Sequence, residues 1–209
     1  MHDFIVPHWL AWAREIQALA QSGLTFSTNE FEILRYRRLS EIAAEIMAQH
    51  SSASTQDWLV PFQEQRGYAT PKIDVRGAVV HEGKILLVQE RSDHKWCMPG
   101  GWADVGDLPA KMVEREVREE SGFEVIARKV IGVFDANRDG RPMNFFHAFK
   151  VVFWCELLGG ETHGSNETLA AAFFDFEQLP ELSSARTNVR HLAEVRAHLL
   201  DPARPTAFD

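Results

Sequence analysis

Residues Gly101–Phe123 read GWADVGDLPAKMVEREVREESGF, a glycine-rich approach followed by an acidic segment that ends at another glycine. The spacing of the apolar residues in this stretch predicts an amphipathic helix over 108–121. Glu116, Glu119 and Glu120 stand at positions i, i+3 and i+4, so their carboxylates share one helix face. Three negative charges this close repel each other, and a hard divalent cation with oxygen ligands relieves the repulsion. The segment therefore predicts a metal-binding face for Mg²⁺ or Mn²⁺.

The alternative interpretation is a solvated acidic surface, which is the more common outcome for a short charge run. The wider spacing, G-x5-D-x7-R-E-V-x-E-E-x-G-F, favours the metal site. It resembles the Nudix box, G-x5-E-x7-R-E-U-x-E-E-x-G-U, where U is a bulky aliphatic or aromatic residue. The preceding stretch, Trp96–Gly101, is similar to the W-x-x-P-G-G approach of the same family. One position departs from the box: Asp107 replaces the usual glutamate, and we predict that it caps the helix N-terminus.

The resemblance implies an α/β (α+β) fold, the Nudix α/β/α sandwich around a mixed sheet. It implies a hydrolase that cleaves the pyrophosphate of a nucleoside diphosphate linked to a group X, with ADP-ribose and CDP-choline as the leading substrates. Glu116, Glu119 and Glu120 would bind Mg²⁺, for which Mn²⁺ substitutes. The backbone carbonyl of Gly100 would join them, and Arg115 would orient a glutamate through a salt bridge.

Four further residues are candidates for the site. Glu167 precedes the last predicted strand, where the family often places a metal-binding or base glutamate, and the alternative is an exposed loop acid. Arg76 and Arg91 are candidate phosphate contacts or surface ion pairs. Trp102 is a candidate for stacking on a nucleobase or for packing beside the glycine loop. The predicted partner is thus a nucleotide-derived small molecule.

The first 66 residues differ in character from the rest and read as helices over 8–22, from near Thr28 to about residue 50, and from Thr55 to about Gln65. Gly23 is the expected C-cap of the first helix. The segment resembles the small helical domain that precedes the catalytic domain in one Nudix subgroup. We therefore predict a helical domain over 1–66 and a Nudix domain over 67–209. The helices have more apolar surface than so small a unit covers alone, which predicts a homodimer.

Strand patterns dominate after Pro71. A buried hairpin spans 75–88 with its turn at Glu82-Gly83, and two strands follow near 124–135 and 145–158, joined by a polar loop over 137–142. Phe173, Phe174 and Phe176 mark a last strand, 186–200 read as a closing helix, and prolines from 202 onward predict a loose tail.

Composition and charge disfavour several classes of partner and location. The chain has 209 residues with 22 Lys plus Arg against 30 Asp plus Glu, a net charge of −8, which disfavours DNA and long RNA as partners. Two cysteines make no disulfide framework, and no signal peptide or membrane span is visible, so we expect a cytoplasmic protein. Two alternative functions stay open: a nucleoside triphosphate or RNA-end hydrolase, and a non-catalytic Nudix-like nucleotide sensor.

Overall fold

The computed structural model describes residues 7–136 and 145–209, and these contain five α-helices and seven β-strands. The described residues group into two compact units. The first comprises residues 7–71 with 145–147, and the second comprises 72–136 with 148–209. The boundary at residue 66 stays a prediction. No helix among the described residues is both long enough and apolar enough to cross a membrane.

The first unit is helical, as the sequence predicts. Its helices are α1 His8–Phe26, α2 Glu30–Gln49 and α3 Thr55–Glu64. The Asn29 side chain accepts bonds from two backbone N–H groups at the start of α2, and Ser54 forms a capping box with Asp57 at the start of α3. The helices bury a shared apolar cluster of Leu10, Ala13, Ala43, Ala44, Met47, Phe62 and Phe145.

The prediction that Gly23 ends the first helix is wrong, because α1 continues to Phe26. A methyl group at position 23 would collide with the aromatic ring of Tyr36 on α2. The glycine therefore serves the close approach of two helices. A glycine near the end of an apolar run looks the same in sequence for either role.

The second unit is built on a mixed sheet. Its strands are β1 Lys72–His81, β2 Lys84–Glu90, β3 Trp96–Cys97, β4 Phe123–Asp135, β5 Ala148–Gly160, β6 Thr168–Asp175 and β7 Ala207–Phe208, and its helices are α4 Pro109–Ser121 and α5 Val189–Leu200. The strand order is β3-β2-β1-β5-β4-β7, with β6 paired to β2. β1 runs parallel to β5, while β4 and β5 are antiparallel.

Helices cover both faces of this sheet. On one face, Met112, Val113 and Val117 of α4 pack with strand residues such as Val75. On the other face, Leu192 and Val195 of α5 pack with a second set of strand residues. Strands covered on both faces are buried along consecutive residues, which is the pattern of β1 and β2. The predicted α/β/α sandwich with a preceding helical domain is confirmed.

The later part of the chain differs in places from the prediction. The strand expected from residue 145 begins at Ala148, because Phe145 belongs to the apolar core of the helical unit. The loop expected over 137–142 lies outside the described residues. The tail is also not loose: β7 pairs in parallel with β4, and the Asp209 carboxylate binds Arg190. The exposed edge of a sheet offers unpaired backbone groups, so even a strand of two residues such as β7 can pair with it.

Candidate active site

Helix α4 is oriented by its apolar face and fixed by glycine at its end. Gly122 adopts a left-handed conformation with φ of 83° and donates its N–H to the Arg118 carbonyl. A methyl group at this position would collide with the carbonyl oxygen of Glu161. The burial of Val113 and Val117 against the sheet turns Glu116 and Glu119 away from the core.

The prediction that Asp107 caps α4 is wrong. The N-cap residue is Leu108, which makes no side-chain cap bond, and Pro109 begins the helix. Asp107 lies one residue too early to reach the helix amides. Its carboxylate instead accepts a bond from the Asp104 N–H at 3.1 Å and contacts Arg115 at 3.4 Å. The side chain therefore closes the turn before the helix and pairs with the box arginine.

Arg115 contacts three of the carboxylates at the acidic helix face. Its Nη1 lies 3.0 Å from Glu116 Oε1 and 3.1 Å from Glu119 Oε2, while its Nη2 contacts Asp107. Among the described residues, no three His, Cys, Asp or Glu side chains converge as a ready-made metal-ligand set. Burial, together with the charges of Glu119 and Glu167, raises the pKa of Glu116 above its ordinary value.

Glu120 is the buried carboxylate of the face. Its side chain accepts the N–H of Gly100 at 2.9 Å, and only 6% of the residue is exposed. Burial raises the pKa of Glu120 to about 7, and the charges of Glu90 and Glu116 add to the shift. The position thus carries a carboxylate whose ionised form is costly within the protein.

Gly100 is held in a conformation that requires glycine. Its φ is 142°, and a methyl group would collide with the carbonyl oxygen of Val75. The carbonyls on either side, of Pro99 and Gly101, accept N–H bonds from β1. The Gly100 N–H faces α4, where it reaches Glu120.

The opposite wall is the loop of residues 163–167. A cleft of about 1000 Å³ runs between this loop and the acidic face, and its lining includes Glu116, Glu119, Glu120, Glu167 and Trp102. The Trp102 residue is 57% exposed there. The structure therefore places Glu167 and Trp102 in the same cleft as the box glutamates.

Arg76 is not placed in this cleft. It is 6% exposed, and its guanidinium lies 3.0 Å from Asp74 while donating to the Met98 carbonyl at 3.2 Å. Asp74 also accepts from Lys150 at 2.6 Å. Burial opposes ionisation of Asp74, but the charges of Arg76 and Lys150 lower its pKa below the ordinary value. Arg76 is thus part of a buried ion-pair network.

Arg91 is bound to the loop of the opposite wall. Its Nε donates to the Asn166 carbonyl at 3.1 Å, and its Nη2 donates to the Ser165 carbonyl at 3.3 Å. Its backbone N–H donates to the Glu167 carbonyl at 3.0 Å. These bonds join the end of β2 to the residues that precede β6.

Sequence reasoning missed other residues of the cleft. Asp104, Arg118, His163, Ser165 and Asn166 also line it. Arg118 lies inside the box at a position with no fixed residue type, and His163 and Ser165 lie in an irregular segment. Neither location carries a periodic signal, so only the folded chain brings these residues together.

Comparison with known proteins gives the family. Residues 71–195 match the NUDIX domain, and residues 7–57 match the UDP-X-like, N-terminal oligomerisation domain. A Bacillus subtilis protein named "Putative ADP-ribose pyrophosphatase YjhB" is 37% identical over 201 residues, covering 96% of this chain and 97% of that protein.

Two solved structures agree with that assignment. The crystal structure of UDP-X diphosphatase is 30% identical, covers 97% of this chain and 98% of its own, and superposes with a TM-score of 0.62. An ADP-ribose pyrophosphatase from Streptococcus suis is 38% identical over 67% of this chain and 100% of its own, with a TM-score of 0.61. The chain therefore belongs to the Nudix family of pyrophosphatase hydrolases.

Proposed function

We propose that this protein hydrolyses the pyrophosphate of a nucleoside diphosphate linked to a group X, releasing a nucleoside monophosphate and phospho-X. The observation that carries the proposal is the cleft with Glu116, Glu119 and Glu120 on one wall and Glu167 on the other. The names of its relatives favour ADP-ribose or a UDP-linked substrate, and CDP-choline is a further candidate. The free thiols of Cys97 and Cys155 support a cytoplasmic location.

The donor groups of the cleft fit a hard divalent cation. They are carboxylate and carbonyl oxygens, the ligands that Mg²⁺ and Mn²⁺ prefer. Gly101 has no side chain, which keeps the space beside Glu116 open. A methyl group at this position would lie 3.1 Å from Glu116 Oε2. Glu116, Glu119, Glu120 and the Gly100 carbonyl would hold Mg²⁺, or Mn²⁺ in its place. The cation would neutralise phosphate charge and acidify water.

The remaining residues of the cleft are proposed to orient the carboxylates, accept a proton and contact the nucleobase. Arg115 fixes the carboxylates of Glu116 and Glu119 by direct contact. Water attacks one phosphorus, the bridging P–O bond breaks, and the second phosphate leaves with the electron pair. Glu167, which lines the cleft opposite α4, is proposed to accept the proton of the attacking water. The exposed Trp102 ring offers a stacking surface for the nucleobase.

Chelation tests this proposal. We expect EDTA to abolish hydrolysis of nucleoside diphosphate-X compounds and Mg²⁺ or Mn²⁺ to restore it, because the clustered carboxylates alone repel a phosphate. Product formation is measured with ADP-ribose, UDP-sugars, CDP-choline and nucleoside triphosphates as substrates. The matched control is EDTA that has been saturated with Mg²⁺ beforehand and therefore removes no metal from the protein. Full turnover in excess chelator would contradict the metal mechanism. Preference for nucleoside triphosphates would contradict the substrate class.

We also propose a homodimer formed through the helical unit. Trp12, Leu19 and Phe26 recur every seven residues along α1, and each is more than half exposed. A spacing of seven keeps them on one helix face. The match of residues 7–57 to an N-terminal oligomerisation domain supports the same interpretation.

A charge on that face is expected to separate the dimer. Leu19→Glu places a carboxylate in the apolar stripe, so light scattering should give the mass of one chain where the unchanged protein gives two. Leu158→Glu is the matched control, since Leu158 is 61% exposed on β5. A monomeric parent protein, or a dimer that survives Leu19→Glu, would show that this face is not the interface.

A further inference from the structure

The loop that carries Glu167 is held by bonds to its main chain. The Ser165 hydroxyl accepts the N–H groups of Glu167 at 3.1 Å and Thr168 at 2.9 Å. The Thr168 hydroxyl donates to the Glu120 carbonyl at 2.8 Å. The loop is therefore connected directly to the last turn of α4, the helix that carries the box glutamates.

Arg91 supplies the other fixed side of this loop. Its side chain spans two successive carbonyls, those of Ser165 and Asn166, and its backbone N–H binds a third, that of Glu167. A planar guanidinium matches such a pair of acceptors, whereas an ammonium offers no fixed fork. With its Nε and Nη2 donors used on the loop, the guanidinium is oriented by the loop itself.

We infer that Arg91 is a positioning residue for Glu167, which acts by fixing the main chain of residues 165–167. This role rests on the proposed function of the cleft, and it differs from the phosphate contact that the sequence suggests for Arg91. A carboxylate on an exposed loop has many orientations, and fixing its main chain lowers the cost of reaching the reactive one. Arg91 would then affect the reaction without touching the substrate.

A double-mutant cycle separates positioning from direct binding. We expect Glu167→Gln to lower kcat about 10²-fold and Arg91→Ala to lower kcat by roughly 10-fold with little change in KM. In the Glu167→Gln background, Arg91→Ala should cost less than about 3-fold, because its effect passes through the missing carboxylate. Fold losses that multiply in the double variant, or a raised KM at unchanged kcat, would overturn the inference.

Further variants keep the result interpretable. Arg91→Lys retains the charge but not the fork, so we expect most of the kcat loss to remain; full rescue by lysine would indicate a phosphate contact. Arg128→Ala is the matched control, since Arg128 pairs with Glu156 and neither lines the cleft, and it should leave kcat unchanged. A kcat for Glu167→Gln equal to that of the unchanged protein would also overturn the inference.

Amide hydrogen exchange gives a readout that does not depend on the substrate. The N–H groups of Glu167 and Thr168 should exchange at least several-fold faster in Arg91→Ala than in the unchanged protein, while those of α5 keep their rates. Unchanged loop exchange would overturn the inference whatever the activity. If the unchanged protein hydrolyses no nucleoside diphosphate-X compound but the loop exchange does accelerate, the proposed function fails and the positioning contact stands.

Discussion

Glu120→Gln is expected to lower kcat about 10²-fold or more and, in EDTA at pH 8, to raise the free energy of unfolding. The loss of activity follows from removing a charged oxygen from the cation site at nearly constant volume. The gain in stability follows from burial, since only 6% of Glu120 is exposed. A neutral amide escapes the desolvation cost that an ionised carboxylate meets there.

The stability gain depends on pH in a defined direction. Burial raises the pKa of Glu120 from 4.5 to about 7 in the folded protein, so the folded state binds more protons than the unfolded state between these values. Stability therefore falls as pH rises from about 4.5 to 7 and stays reduced above that. The difference at pH 8 is on the order of 3 kcal/mol. It should shrink towards zero near pH 4.5.

Thermal and urea unfolding in EDTA at pH 5 and pH 8 measure this effect. Glu119→Gln is the matched control, because the Glu119 side chain is 52% exposed and its pair with Arg115 contributes ~1 kcal/mol or less. If Glu120→Gln is no more stable than the unchanged protein at pH 8, the buried carboxylate does not carry the cost assigned to it. Undiminished kcat would remove Glu120 from the site.

The sequence predicts the helical wall of the site because its signal is local. Glu116, Glu119 and Glu120 share a face in any α-helix, and a glycine such as Gly122 is the residue favoured where a helix ends in the left-handed conformation. The α/β/α sandwich is implied by the resemblance to the Nudix family, while the local patterns predict only the individual helices and strands. Predictions of this kind need only the geometry of one element.

The roles of the arginines depend on partners distant in the chain, and the sequence does not identify these. Arg76 and Arg91 look alike as cations near predicted strands. The fold buries Arg76 beside Asp74, which Lys150 reaches from β5, and it places Arg91 beside Asn166 from a loop. Neither contact is visible until the strand pairing is known. The prediction for Asp107 was wrong for another reason. The helix begins one residue later than expected, and this shift changes which groups the Asp107 side chain reaches.

Asp74→Asn is expected to lower the free energy of unfolding by about 3–5 kcal/mol. Asp74 contacts two buried cations, Arg76 at 3.0 Å and Lys150 at 2.6 Å. Lys150 is fully buried, and Arg76 is nearly so. Removing the carboxylate that both cations contact uncovers positive charge in a region of low polarity, which is far costlier than losing an exposed pair.

The prediction separates a structural role for this network from a substrate role. If Arg76 bound a phosphate, neutralising Asp74 would release the Arg76 guanidinium and change KM. The buried geometry instead predicts a loss of stability, with the KM of the folded protein within about 3-fold of that of the parent. Asp175→Asn is the matched control, because Asp175 pairs with Lys84 at 3.6 Å on a half-exposed surface and should cost about 1 kcal/mol or less. Equal stability losses in the two variants would show that Asp74 does not compensate buried charge. A large loss confined to Asp74→Asn, with KM within about 3-fold of the parent, would mean that β1 and β5 depend on this buried ion pair and that Arg76 does not bind the substrate.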